Sequence, residues 1–201
     1  MKSLIYLIRH GEIDRPASRT FIGQTDLALN DNGIRQAEAL HEQLKNIPFS
    51  GIFTSPLQRA VQTAALASGQ SVESLHPIEQ FKEINLGAWE GLTVDQVRKL
   101  YPQDYEQRGR DLEFFRPQGG GESFADLSVR CYPPLLGLAK AHPGPLLVVA
   151  HAGVNRVLIS RLQYKSLQQL LDIPQDYCGI NILSCNSGQL KVEAVNLHKL
   201  C

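Results

Sequence analysis

The stretch SLIYLIRHG, residues 3–11, decides the fold class of this chain. Its apolar run lacks any alternation of apolar and polar side chains, which is typical of a strand covered on both faces. The stretch GPLLVVAHAG, residues 144–153, repeats the pattern. The apolar run is followed by Arg9, His10 and Gly11 in the first stretch and by His151, Ala152 and Gly153 in the second. Two such strands predict a central sheet with helices on both sides.

Helical patterns separate these strands. Apolar residues recur every three or four positions from Ile34 to Leu44. The segment 56–68 opens with a proline, which is favoured in a first helical turn, and it follows a short predicted strand at 51–55. Ser123 is a good N-cap for a helix that we expect to run to about Ala141.

The C-terminal region predicts a closing hairpin. Two strand-like segments, 177–184 and 190–197, flank a turn that contains Asn186, Ser187 and Gly188. Alternating strands and helices predict an α/β fold, a three-layer α/β/α sandwich with a mainly parallel central sheet. At 201 residues, the chain is expected to form a single domain spanning residues 1–201.

Composition narrows the function classes. The chain carries 20 basic and 20 acidic residues, so it offers no electrostatic footprint for nucleic acid or an anionic membrane. The N-terminal apolar run is shorter than a secretory h-region, and no stretch approaches the ~18 apolar residues of a membrane span. These features predict a cytoplasmic protein.

The cysteines show no metal-site or disulfide spacing. They have no CxxC pair and lie in the C-terminal part of the chain, at Cys131, Cys178, Cys185 and Cys201. This distribution predicts reduced structural thiols.

Charged side chains stand where three of the strands are predicted to end. Arg9 and His10 follow the first strand, His151 follows the strand at 144–150, and Arg59 lies in the first turn of the helix after Pro56. Ligands of open α/β sheets bind beyond the carboxyl ends of the strands. Each residue alone has an ordinary structural explanation, but two arginines beside two histidines would repel one another without a bound anion. Together they predict a phosphate pocket.

A carboxylate joins this set from a loop. Glu83 lies in FKEINLGAWEG, residues 81–91, which contains two glycines and a tryptophan. Taken alone, it is an ordinary loop carboxylate. A loop of this kind could lie over the predicted pocket, where a carboxyl group can serve in proton transfer.

Five blocks of the sequence resemble the histidine phosphatase superfamily, in its phosphoglycerate mutase-like branch, in both order and spacing. The blocks are LIRHGEID (7–14), SPLQRAVQTA (55–64), FKEINLGAWEG (81–91), GGGESFADLSVR (119–130) and LLVVAHAGVNRVLI (146–159). The resemblance covers essentially the whole chain and also implies an α/β/α sandwich.

The resemblance implies roles for the candidate residues. His10 matches the phosphorylated nucleophile, and Arg9, Arg59 and His151 match the residues that hold the phosphate together with His10. Glu83 matches the general acid, which later acts as the base, so His10, Glu83 and His151 are the expected catalytic residues. The resemblance calls for neither a metal nor a cofactor.

The substrate-contacting residues are less directly indicated. The segment 21–30 resembles a family loop that places residues near the substrate, with Gly23 and Gln24 as candidates. Ile13 departs from the family, which commonly has threonine or asparagine nearby. Asp14 or Gln24 is therefore expected to supply the missing polar contact.

The same resemblance favours a phosphatase over a mutase. Mutases of the family typically carry arginine directly after the position of Glu83, where this chain has Ile84, and a longer basic insertion before the GES block. Segments 83–97 and 157–183 resemble α-ribazole phosphatases, which remove the 5′-phosphate of a precursor in cobalamin synthesis. Segment 93–108 also resembles the bisphosphatase domain that acts on fructose 2,6-bisphosphate.

The expected partner is thus a small phosphorylated metabolite. The leading substrate is α-ribazole 5′-phosphate, and a broad-specificity or sugar-phosphate phosphatase is the alternative. A homodimer is left open. Five aromatic residues could belong to the core or form a platform for a planar base: Phe81, Trp89, Tyr105, Phe114 and Phe115.

Two other classes of protein fit part of the sequence. A zinc hydrolase could use His10, His151 and Glu83 as ligands, but the neighbouring arginines would repel the cation and the HExxH spacing is absent. A catalytically inactive binding module could share the fold, but such relatives commonly lose a catalytic histidine or arginine. This chain retains them all.

Overall fold

The computed structural model describes residues 3–14 and 18–200. Its strands are β1 (Ser3–Arg9), β2 (Gly51–Thr54), β3 (His76–Pro77), β4 (Leu146–Ala150), β5 (Ile180–Asn186) and β6 (Gln189–Leu197). Its α-helices are α1 (Asp31–Leu44), α2 (Gln58–Ser68), α3 (Val94–Leu100), α4 (Pro102–Arg110), α5 (Phe124–Ala141) and α6 (Ala152–Leu162).

These strands form one mixed sheet in the order β3-β2-β4-β1-β5-β6. β1 runs parallel to β4, and β4 runs parallel to β2, which in turn pairs in parallel with β3. β5 is antiparallel to β1 and joins β6 in the predicted hairpin. The predicted α/β fold with a mainly parallel sheet is confirmed.

Side chains alternate between the two faces of this sheet. In β1, Ile5 and Leu7 enter one core cluster, and Ile8 enters the other. The first cluster contains buried side chains of α5 and α6, and the second contains those of α1 and α2. A strand with apolar residues at consecutive positions serves both faces, which is why the apolar runs lack alternation.

The helix starts follow local capping chemistry. Ser123 accepts a hydrogen bond from the Asp126 N–H at 3.1 Å, and the Asp126 carboxylate accepts one from the Ser123 N–H at 2.9 Å. This capping box confirms the predicted start of α5. Helix α2 begins at Gln58, two residues later than predicted, because Leu57 keeps an extended backbone as its N-cap.

The carboxyl ends of three adjacent strands meet at one edge of the sheet. The His10 N–H donates to the carbonyl of Ala150 at 3.0 Å, and the Ser55 N–H donates to that of Val149 at 2.9 Å. The residues that follow β1, β2 and β4 are therefore neighbours. This edge holds the candidate site.

Three of the four cysteines can be placed. Cys131, Cys178 and Cys185 are free thiols, as predicted, and Cys201 lies outside the described residues. Burial raises the pKa of the Cys131 thiol to about 12, so it stays protonated and inert. Across residues 3–14 and 18–200, none of the helices combines the length and apolar character needed to cross a membrane.

Candidate active site

Arg9 ends β1 with its guanidinium held in place by the C-terminal segment before β5. Its Nη1 donates to the carbonyl of Gln175 at 2.6 Å, and its guanidinium carbon lies 3.9 Å from the centre of the Tyr177 ring. A cation over an aromatic face is attracted to the ring electrons. The arginine therefore reaches the sheet edge in a defined orientation.

His10 follows directly, and its ring is poised as a nucleophile. Only 4% of the residue is exposed. Its Nδ1 lies 2.7 Å from the carbonyl oxygen of Gly11, which can only accept, so Nδ1 carries the proton. Gly11 is itself held, because its N–H donates to Thr63 Oγ1 at 2.9 Å. The neutral tautomer fixed in this way leaves the lone pair on Nε2.

Arg59 crosses from helix α2 to the same edge and is almost fully buried. Its Nη1 donates to the carbonyl of Thr25 at 2.7 Å, and its Nη2 donates to that of Gly23 at 2.8 Å. Its Nε lies 3.3 Å from His151 Nδ1. The guanidinium thus ties the 21–30 loop to the end of β4.

His151 is fully buried beside His10, with the two ring centroids 5.1 Å apart. Burial lowers the pKa of His151 well below its ordinary value, and the positive charge of the neighbouring Arg59 lowers it further. The ring is therefore neutral at working pH. Its Nε2 lies 2.7 Å from Ser55 Oγ, a hydroxyl that can accept or donate.

Glu83 reaches this edge from its loop and meets the N-terminus of α6. Its Oε2 accepts from the Gly153 N–H at 3.0 Å, and its Oε1 accepts from the Ile84 N–H at 2.9 Å. The first N–H groups of a helix are natural partners for a carboxylate. The structure therefore brings together Arg9, His10, Arg59, Glu83 and His151, as the sequence predicts.

Gly153 is required for this contact, because a Cβ there would lie too close to Glu83 Oε1. Gly153→Ala is expected to displace the carboxylate and to slow hydrolysis of an alkyl phosphate by roughly 10- to 100-fold. Gly137→Ala is the matched control, since a Cβ at that position in α5 has nothing within 4 Å. The control should keep full activity and gain up to ~1 kcal/mol of stability. Steady-state kinetics and thermal unfolding of both variants measure the effects, and unchanged kinetics in Gly153→Ala would contradict this view of the site.

An open cavity lies over these residues. Residues from three of the sheet-edge junctions and from the loops line it: Arg9, His10, Ile13, Thr20, Phe21, Ile22, Gly23, Arg59, Glu83, Ile84, Leu86, Arg108, Phe124, Ala152, Gly153, Arg156 and Leu171. Three of the four phosphate-binding candidates, Arg9, His10 and Arg59, line the cavity, whereas fully buried His151 is not among its described lining residues. The remaining wall is largely apolar.

The three residues predicted to contact the substrate, Gly23, Gln24 and Asp14, have different positions relative to the cavity. Gly23 lines the cavity, with a positive φ of 51°. Gln24 instead donates from Nε2 to the carbonyl of Glu83 at 2.8 Å, so it supports the loop of that residue. Asp14 is exposed and is not among the lining residues that the structure describes.

The cavity-wall residues that sequence reasoning missed include Phe21, Phe124, Arg108 and Arg156. Phe21 stands in the loop that the resemblance indicated, so a signal for it existed. The five aromatic residues considered as a platform for a planar base lie elsewhere. Phe81, Trp89 and Phe115 are core residues, Tyr105 packs against the core, and Phe114 is exposed.

The cavity is electrostatically positive. Among its described lining residues are four arginines, Arg9, Arg59, Arg108 and Arg156, and a single carboxylate, Glu83. Cations gathered around one carboxylate attract an anionic ligand. Within the described ranges, no group of three or more His, Cys, Asp or Glu side chains is arranged to hold a metal ion.

The fold and the site together define an enzyme that acts on phosphate esters. A buried histidine whose Nδ1 donates to a backbone carbonyl stands beside guanidinium groups, which match phosphate oxygens in geometry and charge. The chain belongs to the histidine phosphatase superfamily (branch 1), whose model matches residues 5–198. It is a phosphatase of that superfamily.

Individual relatives differ in substrate. The chain is 34% identical to the metal-independent phosphoserine phosphatase of Arabidopsis thaliana, over 84% of this chain and 72% of that protein. It is 33% identical to 6-phosphofructo-2-kinase/fructose-2,6-bisphosphatase 3 of Rattus norvegicus, over 97% of this chain but only 35% of that protein's length. The structure of the α-ribazole phosphatase from Shigella flexneri superposes with a TM-score of 0.87 at 26% identity, covering 98% of each chain.

Proposed function

We propose that the chain is a metal-independent phosphomonoesterase that works through a phosphohistidine at His10. The observation that carries the proposal is the hydrogen bond from His10 Nδ1 to the Gly11 carbonyl, which leaves Nε2 able to attack phosphorus. In the first step, Nε2 bonds to phosphorus as the ester oxygen leaves. In the second, water attacks the phosphohistidine, and inorganic phosphate and free His10 are released.

Positive groups around His10 stabilise the transferring phosphoryl group. Arg9 and Arg59 supply fixed guanidinium donors at the places where charge builds on the equatorial oxygens. Arg59 Nε can only donate, so Nδ1 of neutral His151 accepts from it, and Nε2 carries the proton that is donated to Ser55 Oγ. In this form His151 orients Arg59 and Ser55 and needs no positive charge.

Glu83 moves the protons in both steps. As a carboxylic acid it gives its proton to the departing alkoxide, and as a carboxylate it then takes one from the attacking water. The backbone N–H groups of Gly153 and Ile84 hold its two oxygens, so the carboxyl group is oriented before substrate arrives.

The leading substrate is α-ribazole 5′-phosphate. Its planar benzimidazole suits a cavity whose wall includes Phe21, Ile22, Leu86 and Phe124. The close superposition with an α-ribazole phosphatase supports this choice. A role in cobalamin synthesis and a cytoplasmic location accompany this assignment.

A second candidate is a phosphate ester with another negative group, such as a sugar bisphosphate or a phosphorylated acid. Arg108 favours it. Its guanidinium lines the cavity 5.8 Å from the Phe21 ring and makes no hydrogen bond or ion pair with any other described residue. Burial lowers the pKa of Arg108, which marks a cation partly removed from water and suited to an anionic partner.

A panel of phosphorylated compounds tests the proposal and separates its candidates. We expect hydrolysis of α-ribazole 5′-phosphate to survive Arg108→Gln nearly unchanged, whereas a bisphosphate should lose roughly 10-fold or more in kcat/KM. Arg98→Gln, an exposed substitution on α3, is the control. With 3-phosphoglycerate and trace 2,3-bisphosphoglycerate, phosphate release should exceed formation of 2-phosphoglycerate. Faster interconversion would make the chain a mutase.

A further inference from the structure

The loop that carries Glu83 has no regular structure of its own. Residues 82–86 belong to no helix or strand, and they follow a single 3₁₀ turn at Glu79–Phe81. A displacement of about 1 Å in a catalytic group can cost about 10²-fold in rate. The loop therefore needs external support if its carboxyl group is to be placed reproducibly.

Arg130 of α5 supplies such support through hydrogen bonds to the backbone of the loop. Its Nη1 donates to the carbonyls of Gln80 and Lys82, at 2.7 and 3.1 Å. Its Nη2 donates to the carbonyl of Glu83 itself at 3.2 Å. One guanidinium thus holds three backbone carbonyls on the approach to the carboxylate.

Glu122 holds the guanidinium in turn. Its Oε1 accepts from Arg130 Nε and its Oε2 accepts from Nη2, both at 2.7 Å. Its Oε2 also accepts from the Asn85 N–H at 2.9 Å, and its own N–H donates to the Asn85 carbonyl at 2.8 Å. The pair therefore grips the chain on both sides of Glu83.

The Glu122–Arg130 pair forms a clamp on the loop, and the geometry of this clamp requires arginine. The five N–H donors of Arg130 match the five hydrogen bonds described above, two to Glu122 and three to carbonyls. Lysine keeps the charge but carries its donors on a single nitrogen, so it cannot span these acceptors. The two side chains are only 22% and 21% exposed, so water competes weakly for the contacts.

We infer that the Glu122–Arg130 pair is the positioning device of the proposed general acid, and that it sets how well Glu83 protonates the leaving group. This inference rests on the proposed function, since it assigns a support to the residue that moves the proton. Arg130 and Glu122 touch no reacting atom in this scheme, and the hydrogen bonds described above connect them to the loop.

Arg130→Lys tests the inference. We expect it to lose roughly 10- to 100-fold in the phosphorylation step with an alkyl phosphate and little with p-nitrophenyl phosphate, whose leaving group needs no proton. The double variant Arg130→Lys/Glu83→Gln should lose no more than Glu83→Gln alone, because both changes remove the same proton transfer. A purely structural role would lower the rate equally with both substrates.

Arg116→Lys is the matched control. Arg116 also makes a bidentate pair near the start of α5, with Asp126 at 2.6 and 2.7 Å, and its described hydrogen bonds include none to the Glu83 loop. It should leave both substrates unaffected. If Arg130→Lys does not fold, Glu122→Gln tests the inference in its place. Glutamine keeps one oxygen acceptor, and we expect the same dependence of the loss on the substrate.

The outcomes separate the inference from the proposed function. If Arg130→Lys loses equally with both substrates, or if its loss adds to that of Glu83→Gln, the inference about the Glu122–Arg130 pair is wrong. The proposed phosphatase mechanism is not affected by that result. If the loss of rate in Glu83→Gln itself does not depend on the leaving group, then Glu83 is not the acid. The inference about the Glu122–Arg130 pair is then wrong as well.

Discussion

Replacing His10 with alanine is expected to abolish the phosphoenzyme and to lower kcat by roughly 10⁴- to 10⁶-fold, the scale found when a covalent nucleophile is removed. Arg9 and Arg59 remain in the variant and still bind phosphate. They cannot replace the Nε2 lone pair that the Gly11 carbonyl keeps available. The loss should therefore appear in kcat far more than in substrate binding.

Brief reaction with a ³²P-labelled phosphomonoester, followed by quenching, measures this directly. The label should be acid-labile, base-stable and confined to His10, and it should form in the presence of EDTA. His76→Ala, at an exposed histidine on β3, should label normally. Label on a serine, or label kept in His10→Ala, would refute the assignment. Loss in EDTA with recovery on adding Zn²⁺ would favour the zinc hydrolase.

Glu83→Gln is expected to lose roughly 10² to 10⁴ in the phosphorylation step with an alkyl phosphate and much less with p-nitrophenyl phosphate. An alkoxide leaves poorly without a proton, whereas p-nitrophenolate leaves largely unassisted. Glutamine keeps the size of the side chain but can neither give up a carboxyl proton nor take one from water. The difference between the two substrates therefore reports proton transfer and not a general disturbance of the site.

The burst phase, or kcat/KM, must be compared for the two substrates, because the same carboxylate also serves hydrolysis of the phosphohistidine and kcat mixes both steps. Glu38→Gln, an exposed change on α1, is the control for loss of a carboxylate as such. If Glu83→Gln loses equally with both substrates, Glu83 is not the acid.

Five of the six described strands, all but the two-residue β3, and the order of the strand-end residues could be predicted because their signals are local. An uninterrupted apolar run such as Leu146–Ala150 reports burial on both faces, and Ser123 with Asp126 reports a helix start within four residues. The convergence of His10 and His151 then follows from parallel pairing of β1 with β4. The start of α2 was misplaced because proline is also compatible with the extended residues just before a helix.

The placement of Glu83 came from resemblance, and the structure supplied its physical basis. Nothing in the loop sequence indicates that its carboxylate meets the first turn of α6, which is 70 residues away. Likewise, the sequence left open whether His151 is protonated. Its neutrality depends on burial and on the cations packed around it, which are properties of the assembled site.

By itself, the sequence determined the order of the main strands and of helices α1, α2 and α5, the edge of the sheet that carries the site and the residue types gathered there, since periodicity and strand ends are encoded over a few neighbouring positions. Only the tertiary structure decided that Gln24 supports the Glu83 loop, that Arg108 reaches the cavity and that Arg130 holds three carbonyls of that loop. These contacts join segments tens of residues apart. Their existence depends on how α4, α5 and the loops pack against the sheet, which no local pattern in the chain specifies.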